Sequence, residues 1–199
     1  MKSRTYTLKR RAQAQEKTRQ RIIEAAVELH STQGPSRTTV SAIAAKAGVQ
    51  RLTVYRHFPD EEALFAACSG HVFAQDPPPD PEAWRAVTSP AERLWRALGD
   101  LFAYYRRNRQ LYRVMTRDAD MPVLRKPAQR RREQMVRSVD VLCGDWPADS
   151  TATKRLVRAA IAHAVQFSTW DSLTSQELSD GEAVDMLVGM VTAVGADRR

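Results

Sequence analysis

From Thr18 to the last residues of the chain, apolar side chains recur every three or four positions, and nowhere do they alternate over the length of a strand. That period belongs to helices buried along one side. A first helix is predicted from Lys17 to Thr32, with Ile22, Ile23, Ala26, Val27 and His30 along one face, and Gly34-Pro35 ends it. A short helix follows from Thr39 to Ala47, capped by Thr38 or Thr39. Gly48 interrupts it, and a second short helix runs from Arg51 to Phe58. Pro59-Asp60 breaks that helix and caps the next, which carries Leu64, Phe65, Ala67 and Cys68 and fades near Val72. The stretch Asp76-Pro77-Pro78-Pro79-Asp80-Pro81 cannot be helix interior and reads as a connection. Ser89-Pro90 then opens a long helix whose apolar set is Leu94, Leu98, Leu101, Phe102 and Tyr105. Further helices are predicted over Leu111–Arg117, Pro127–Cys143 (closed by Gly144), Thr151–Leu173 (after the cap candidates Asp149 and Ser150) and Gly181–Val194. Residues 1–15 are basic with almost no apolar positions and read as a mobile arm.

Composition adds to this all-α picture mainly through where the charge lies. The 199 residues carry a net charge of +8. Residues 1–60 hold 12 Lys+Arg against 4 Asp+Glu, whereas residues 61–199 hold 19 of each, so the whole excess sits in the first third. Such asymmetry is expected where one part of a chain faces a polyanion, although a basic tail can also serve solubility alone. The two cysteines, Cys68 and Cys143, form no paired motif, which fits a reducing compartment. The first residues are polar and basic rather than those of a secretory leader, and the longest uncharged stretches are too short for a membrane span. These features lead to the expectation of a cytoplasmic chain without a membrane partner. The four histidines (His30, His57, His71, His163) show no metal-ligand spacing, and there is no phosphate loop or nucleophile motif. No catalytic residue, metal or cofactor is therefore expected, and an enzyme is disfavoured.

The strongest local signal is the string Thr39-Val40-Ser41-Ala42-Ile43-Ala44-Ala45-Lys46-Ala47-Gly48-Val49. Two short helices that cross steeply need a small residue where they approach, and Ala44 supplies it. They need a turn residue tolerant of positive φ, and Gly48 supplies that. They need apolar pins, which are Ile43, Val49 and Val54. An ordinary helical hairpin would share some of these features. The second helix, Gln50-Arg51-Leu52-Thr53-Val54-Tyr55-Arg56-His57-Phe58, has one apolar face (Val54, Phe58) and is otherwise cationic or hydrogen-bonding. That is the composition of a helix lying in a DNA major groove, some side chains meeting base edges and others phosphates.

Residues from about Arg19 to Val72 resemble the DNA-binding domain of TetR-family regulators. The matching residues are Ile22, Ala25, Ala26, Gly34, Thr38-Thr39-Val40, Ile43-Ala44, Ala47-Gly48-Val49, Thr53-Val54-Tyr55, His57-Phe58 and Glu62-Ala63-Leu64. The resemblance implies that Arg51, Leu52 and Thr53 face base edges, that Tyr55 and His57 contact phosphates, and that Thr38 or Thr39 anchors the start of its helix on the backbone. Two positions depart from the family pattern. Gln50 stands where a small capping residue is usual; it caps poorly but can pair with an adenine edge. Glu61 stands where a Lys or Arg usually touches phosphate, and a carboxylate cannot. Lys9, Arg10 and Arg11 of the basic segment are expected to replace part of that contact.

The expected organisation is a basic arm over residues 1–16, a helix-turn-helix domain over 17–73 and a helical sensing and dimerisation domain over 74–199. One reading head covers half a site, so a self-association surface is required. The last helix has two apolar stripes, Ala183, Val184, Leu187, Val188, Val191 and Val194 on one side and Met186, Met190 and Ala193 on another. With the preceding helix it resembles the family's dimer-forming pair, and Ala160, Ala164, Phe167, Val184, Leu187, Val188 and Val191 are the interface candidates; the alternative is that both helices fill the protomer's own core. Aromatic and Met residues crowd the middle helices, most of them as packing. Phe102, Met135, His163, Phe167 and Trp170 are the candidates to line an effector cavity, although His163, in an otherwise apolar segment, reads first as a satisfied core histidine and only then as a switch or ligand contact. Residues 106–137 hold 11 Lys+Arg against 3 Asp+Glu, which makes a solvated face, an anion site or a partner for the acidic C-terminal third. The resemblance implies a homodimeric repressor on a near-palindromic operator, released by a small molecule; an activator or a non-specific architectural DNA protein are the alternatives.

Overall fold

The computed structural model describes residues 2–146 and 150–196, and the side chains among them from Tyr6 onward except Thr7. All regular elements among these residues are helical. They group into two compact units, residues 1–77 with 113–127, and residues 78–112 with 128–199.

The first unit holds α1 (Lys2–Thr32), a 3₁₀ turn (Pro35–Arg37), α2 (Val40–Lys46), α3 (Arg51–His57) and α4 (Glu61–Gln75). Its core is built from aliphatic and small side chains, Ile22, Ile23, Ala26, Ile43, Ala44, Ala47, Val54, Leu64 and Cys68, with Phe58. Thr39 caps α2 by accepting from the Ala42 N–H at 3.1 Å. Gly48 has φ +64 and open space where a Cβ would stand, so backbone handedness alone requires glycine there. Asp60 caps α4 by accepting from the Ala63 N–H at 2.7 Å.

Two expectations are corrected here. The first helix starts well before the predicted Lys17: α1 is one helix from Lys2 onward, so the basic segment forms its first turns. Residues 8–17 (Leu-Lys-Arg-Arg-Ala-Gln-Ala-Gln-Glu-Lys) are strong helix formers. They extend a helix already anchored by Ile22 and Ala26, with no new nucleation cost. Nor does the span 74–199 stay together: residues 113–127 belong with the first unit, where Val114, Met115 and Leu124 are buried.

The second unit contains a 3₁₀ turn (Pro81–Ala86), α5 (Pro90–Arg107), the start of α6 (Arg109–Arg117), most of α7 (Arg125–Cys143), α8 (Thr151–Ala164), α9 (Phe167–Thr174) and α10 (Asp180–Gly195). The unit boundary at Pro77–Pro78 falls in the proline-rich connection. Ser89 caps α5, Ser150 caps α8, and Ser179 with Glu182 forms a capping box at α10; Asp149, the other α8 cap candidate, lies outside the described residues. α10 packs on α8 and α5, and its Ala183, Val184, Leu187 and Val191 meet Leu94, Leu98, Phe102, Val157 and Ile161 in one core. Arg93 is buried, and its guanidinium is satisfied by the Val87, Thr88 and Val141 carbonyls and by Asp145 at 2.9 Å.

The predicted helix Thr151–Leu173 is broken at Val165-Gln166, where no glycine or proline stands. The carbonyls freed by the break are taken up nearby. The Gln166 amide donates to the Ala162 carbonyl (2.8 Å), the Thr169 hydroxyl to the His163 carbonyl (2.7 Å), and the Tyr105 hydroxyl to the Val165 carbonyl (2.7 Å). Part of the basic stretch 106–137 pairs with the acidic C-terminal third, as one reading anticipated. Arg106 makes a two-pronged pair with Asp180 (2.6 and 2.8 Å) and Arg109 meets Asp171 at 2.7 Å.

Candidate nucleic-acid interface

α3 stands on its apolar face. Val54 is 1% exposed and Phe58, its C-cap, 3%, while the Arg19 guanidinium lies over the Phe58 ring at 5.2 Å. The remaining faces turn outward: Arg51, Leu52, Tyr55 and Arg56 are exposed and Thr53 and His57 half-buried. Leu52, 73% exposed, has no folding reason to be apolar. Gln50 occupies the N-cap in extended backbone (φ −78, ψ 149) without a side-chain cap bond, so its amide is not spent on the helix end. The exposed cations are held by their neighbours one turn away. Arg51 Nη2 donates to the Tyr55 hydroxyl at 3.1 Å and lies over its ring at 5.5 Å, and Arg56 Nη2 donates to Thr53 Oγ1 at 3.2 Å. This arrangement presents a short, rigid helix with forked donors, one amide and one apolar side chain, the set needed for base edges and thymine methyls.

The two threonines at the start of α2 do different work. Thr39 is the cap, exposed. Thr38 is half-buried, and its hydroxyl donates to the Gly34 carbonyl at 2.8 Å and accepts from the Gln33 amide at 3.3 Å. Glu61 is exposed in the first turn of α4, where a carboxylate suits the helix dipole; its neighbour Glu62 pairs with Lys126. Lys9, Arg10 and Arg11 are all exposed on the N-terminal part of α1, with Arg10 over the Tyr6 ring at 5.8 Å.

A small open pocket lies between α1, α2, α4 and the turn at Pro122–Leu124, lined by His30, Thr38, Ile43, Leu64, Phe65 and Met121 among others. The His30 ring lies 5.3 Å from that of Phe65, and its Nδ1 is buried without a hydrogen-bond partner. Burial lowers its pKa to about 4, so the imidazole is neutral.

The candidates in the second unit are redistributed. Phe102 and Trp170 are fully buried and pack with Tyr105, Tyr112 and Phe167 in one aromatic cluster, in which Tyr112 stacks on Phe167 at 4.8 Å. Met135 packs against the same core. His163 is exposed on α8, its ring Nε2 3.4 Å from the Thr169 hydroxyl, so it is not a core histidine. Among the dimer candidates, Ala164, Val184, Leu187 and Val191 are buried inside this protomer, and Ala160, Phe167 and Val188 are half-buried against the same core. The stripe nominated for the partner is the one α10 spends on its own fold. On α8 and α10 the outward large apolar side chains are Leu156 (56% exposed), Met186 and Met190 (57%); Trp95 on α5 and Val136 on α7 are exposed as well. Sequence also gave no sign of the contacts that Arg117 and Asp118 make with residues 33–36, which lie more than eighty positions away.

The family model for bacterial regulatory proteins of the tetR family matches residues 22–68. The chain is 45% identical over 78 residues to the HTH-type transcriptional regulator SrpR of Pseudomonas putida, covering 36% of this chain and 37% of that protein. It is 31% identical over 106 residues to the HTH-type transcriptional repressor KstR of Mycolicibacterium smegmatis, covering 53% and 52%. The chain spans between about a quarter and three fifths of the length of the curated relatives it matches. Among solved structures, NalD, the secondary repressor of the MexAB-OprM multidrug efflux pump in Pseudomonas aeruginosa, superposes with a TM-score of 0.64 over 94% of this chain and 100% of that one, at 21% identity. Likeness at that identity shows the fold, here along nearly the whole chain.

Proposed function

We propose that this chain, which belongs to the tetR family of bacterial regulatory proteins, is a homodimeric repressor that binds a near-palindromic operator and is released by a small-molecule effector. The observation that carries the reading is the outward face of α3: Gln50, Arg51 and Leu52 exposed at its N-terminal end, on a helix clamped from behind by Val54 and Phe58. Gln50, Arg51, Leu52 and Thr53 read bases; Tyr55, Arg56 and His57 hold phosphates; Thr39 meets the backbone at the start of α2, and Thr38 supports it from inside the turn. Lys9, Arg10 and Arg11 add flanking phosphate contacts from a preformed helix and offset the carboxylate at Glu61.

A half-site head needs a partner, spaced by one turn of DNA, about 34 Å. The face that serves is the outer one of α8 and α10, Leu156, Ala159, His163, Met186 and Met190, since large apolar side chains left in water there are the ones a second copy would cover. The effector is assigned to the second unit, with Phe102, Met135, Phe167 and Trp170 as the side chains that must repack to admit it. Release follows if the effector binds better to a state that misplaces the two heads. A curated relative, KstR, is named as a repressor, which favours repression over activation here. The relatives are transcriptional regulators, and this chain is read as one rather than as an enzyme.

Selection of duplexes from a random-sequence pool tests the reading. An enriched motif with two-fold symmetry, bound at least about 10³-fold tighter than random duplex at physiological salt, is the expected result. Equal affinity for enriched and random duplexes favours an architectural protein.

A further inference from the structure

Asp118 is a buried carboxylate in a segment far along the chain from the helix-turn-helix. Its side chain is 4% exposed. Both oxygens are spoken for: Arg117 Nε donates to Oδ1 at 2.8 Å, and Oδ2 accepts from Arg117 Nη2 at 3.1 Å and from the Ser36 backbone N–H at 3.0 Å. Arg117 Nη2 also donates to the Gln33 carbonyl at 2.6 Å. One ion pair therefore grips both sides of Gly34, the residue at which the chain leaves α1. Gly34 has φ +88, and a Cβ there would fall on Arg117 Nη2 and Asp118 Oδ2. Glycine is required for backbone handedness and equally to let the ion pair come this close.

The grip continues toward the reading head. The Gly34 carbonyl accepts from the Thr38 hydroxyl, and Thr39 next to it caps α2. α2 in turn carries α3 through the Gly48 turn, where the Val49 N–H donates to the Ala44 carbonyl at 3.0 Å. From Asp118 to the start of α3 the connection runs through these hydrogen bonds and the packing of α2 on α3. An interaction site held about 1 Å too loosely loses much of its function.

We propose that Arg117 and Asp118 form a clasp that positions the α1–α2 turn, and so the base-reading α3, for sequence-specific DNA binding. The proposal rests on reading the first unit as DNA-binding. Neither side chain is offered to DNA by it; both act through Gln33, Gly34 and Ser36.

The test compares Asp118→Asn with the parent chain, at a temperature where circular dichroism shows both fully helical. Three readouts are taken: affinity for a duplex enriched by the parent chain from a random pool, affinity for random duplex of the same length, and exchange of the Ser36 amide. The clasp predicts that Ser36 loses protection, that the enriched duplex binds about tenfold more weakly, and that random-duplex affinity and the salt slope change little, because no phosphate contact is lost. If Asp118→Asn does not fold, Arg117→Lys keeps both charges but has no planar fork to span Asp118 and the Gln33 carbonyl together, and is read the same way. Loss of Ser36 protection with unchanged affinity for the enriched duplex overturns the proposal, since the bonds then exist without positioning α3. An equal fall on both duplexes also overturns it, making the pair a general support of the head. A parent chain that enriches no sequence while Ser36 is protected sinks the DNA reading, and the clasp's role with it, but leaves the bonds themselves demonstrated.

Discussion

The two units are held together by different kinds of side chain. The first closes around small and aliphatic residues, Ile22, Ala26, Ala44, Ala47 and Val54, and orders its turns with caps and the Arg117–Asp118 pair. The second closes around rings, with Phe102, Tyr104, Tyr105, Tyr112, Phe167 and Trp170 in mutual contact and ion pairs at their edge. Under the proposed function, the difference follows from what each has to present. Short helices that cross steeply need small residues at the crossing, and their cations stay outside, where a polyanion would meet them. A bundle of longer helices buries large rings, which give much apolar area per residue and, on that proposal, repack around a guest.

The comparison breaks most visibly at Trp170. The ring is fully buried between Phe102, Tyr105 and Phe167, its Nε1 donates to Asp180 at 2.8 Å, and Arg106 and Arg109 lie over it at 5.8 and 5.2 Å. Trp170→Ala should cost about 3–5 kcal/mol in urea unfolding of the second unit. A cost under about 1 kcal/mol would mean that the rings are not what holds it. All four tryptophans belong to that unit, so the fluorescence of the remaining three follows it alone.

The next largest effect belongs to the other surface. Arg51→Ala should weaken binding to an enriched duplex by about 1–3 kcal/mol and leave random-duplex binding nearly unchanged. Equal losses on both would move Arg51 from base reading to phosphate grip and leave Gln50 and Leu52 as the readers.

The small core of the first unit carries one misfit, His30. Its pKa in the folded chain is lowered to about 4 from an ordinary 6.5 by burial. As pH falls through about 6.5 the unfolded chain takes up the proton first, so the unfolded state binds more protons and the folded state loses stability down to about pH 4. The contribution is whole above 6.5 and exhausted below 4. His30→Phe, which keeps a ring beside Phe65, should remove a pH-dependent loss of about 3 kcal/mol between pH 7 and 4. Unfolding midpoints of both chains at several pH values read it directly, and parallel curves would place the acid sensitivity elsewhere.

How far each unit could be read from sequence follows from the same contrast. In the head, backbone demands and chemistry coincide at fixed offsets: Ala44 at the crossing, Gly48 at positive φ, Thr39 at the cap. Each residue type there has one physical reason, so α2 and α3 were placed to within a residue. In the second unit, period alone speaks. α10 carries two apolar stripes of the same spacing, and nothing local says that Val184, Leu187 and Val191 go inward while Met186 and Met190 face out. The break at Val165-Gln166 depends on the Tyr105 hydroxyl, sixty positions away, and the clasp depends on residues more than eighty apart. Such features are set by tertiary contacts and leave no local period.

The N-terminal extension of α1 belongs to neither core, and it sets the smallest effect. Its charges were legible and its shape was not, since helix propensity without an apolar stripe gives no periodic signal. Charge and shape can be separated by Ala12→Pro. Ala12 is exposed, so no packing is lost, and every cation is kept; the proline removes one helical N–H and breaks the helix between Leu8 and Glu16. Replacing Lys9, Arg10 and Arg11 together with Ala should flatten the salt dependence of DNA binding by up to about 2–3 in slope. Ala12→Pro should leave that slope within about 1 of the parent's, because the charges remain, yet cost a few-fold in affinity, on the order of 0.5–1 kcal/mol, from having to order a broken segment on DNA. An unchanged affinity for the proline variant would mean that the extension acts as a charged tail, its helix incidental. A loss as large as that of the triple variant would mean that the helix, by aiming the three cations, is the contact.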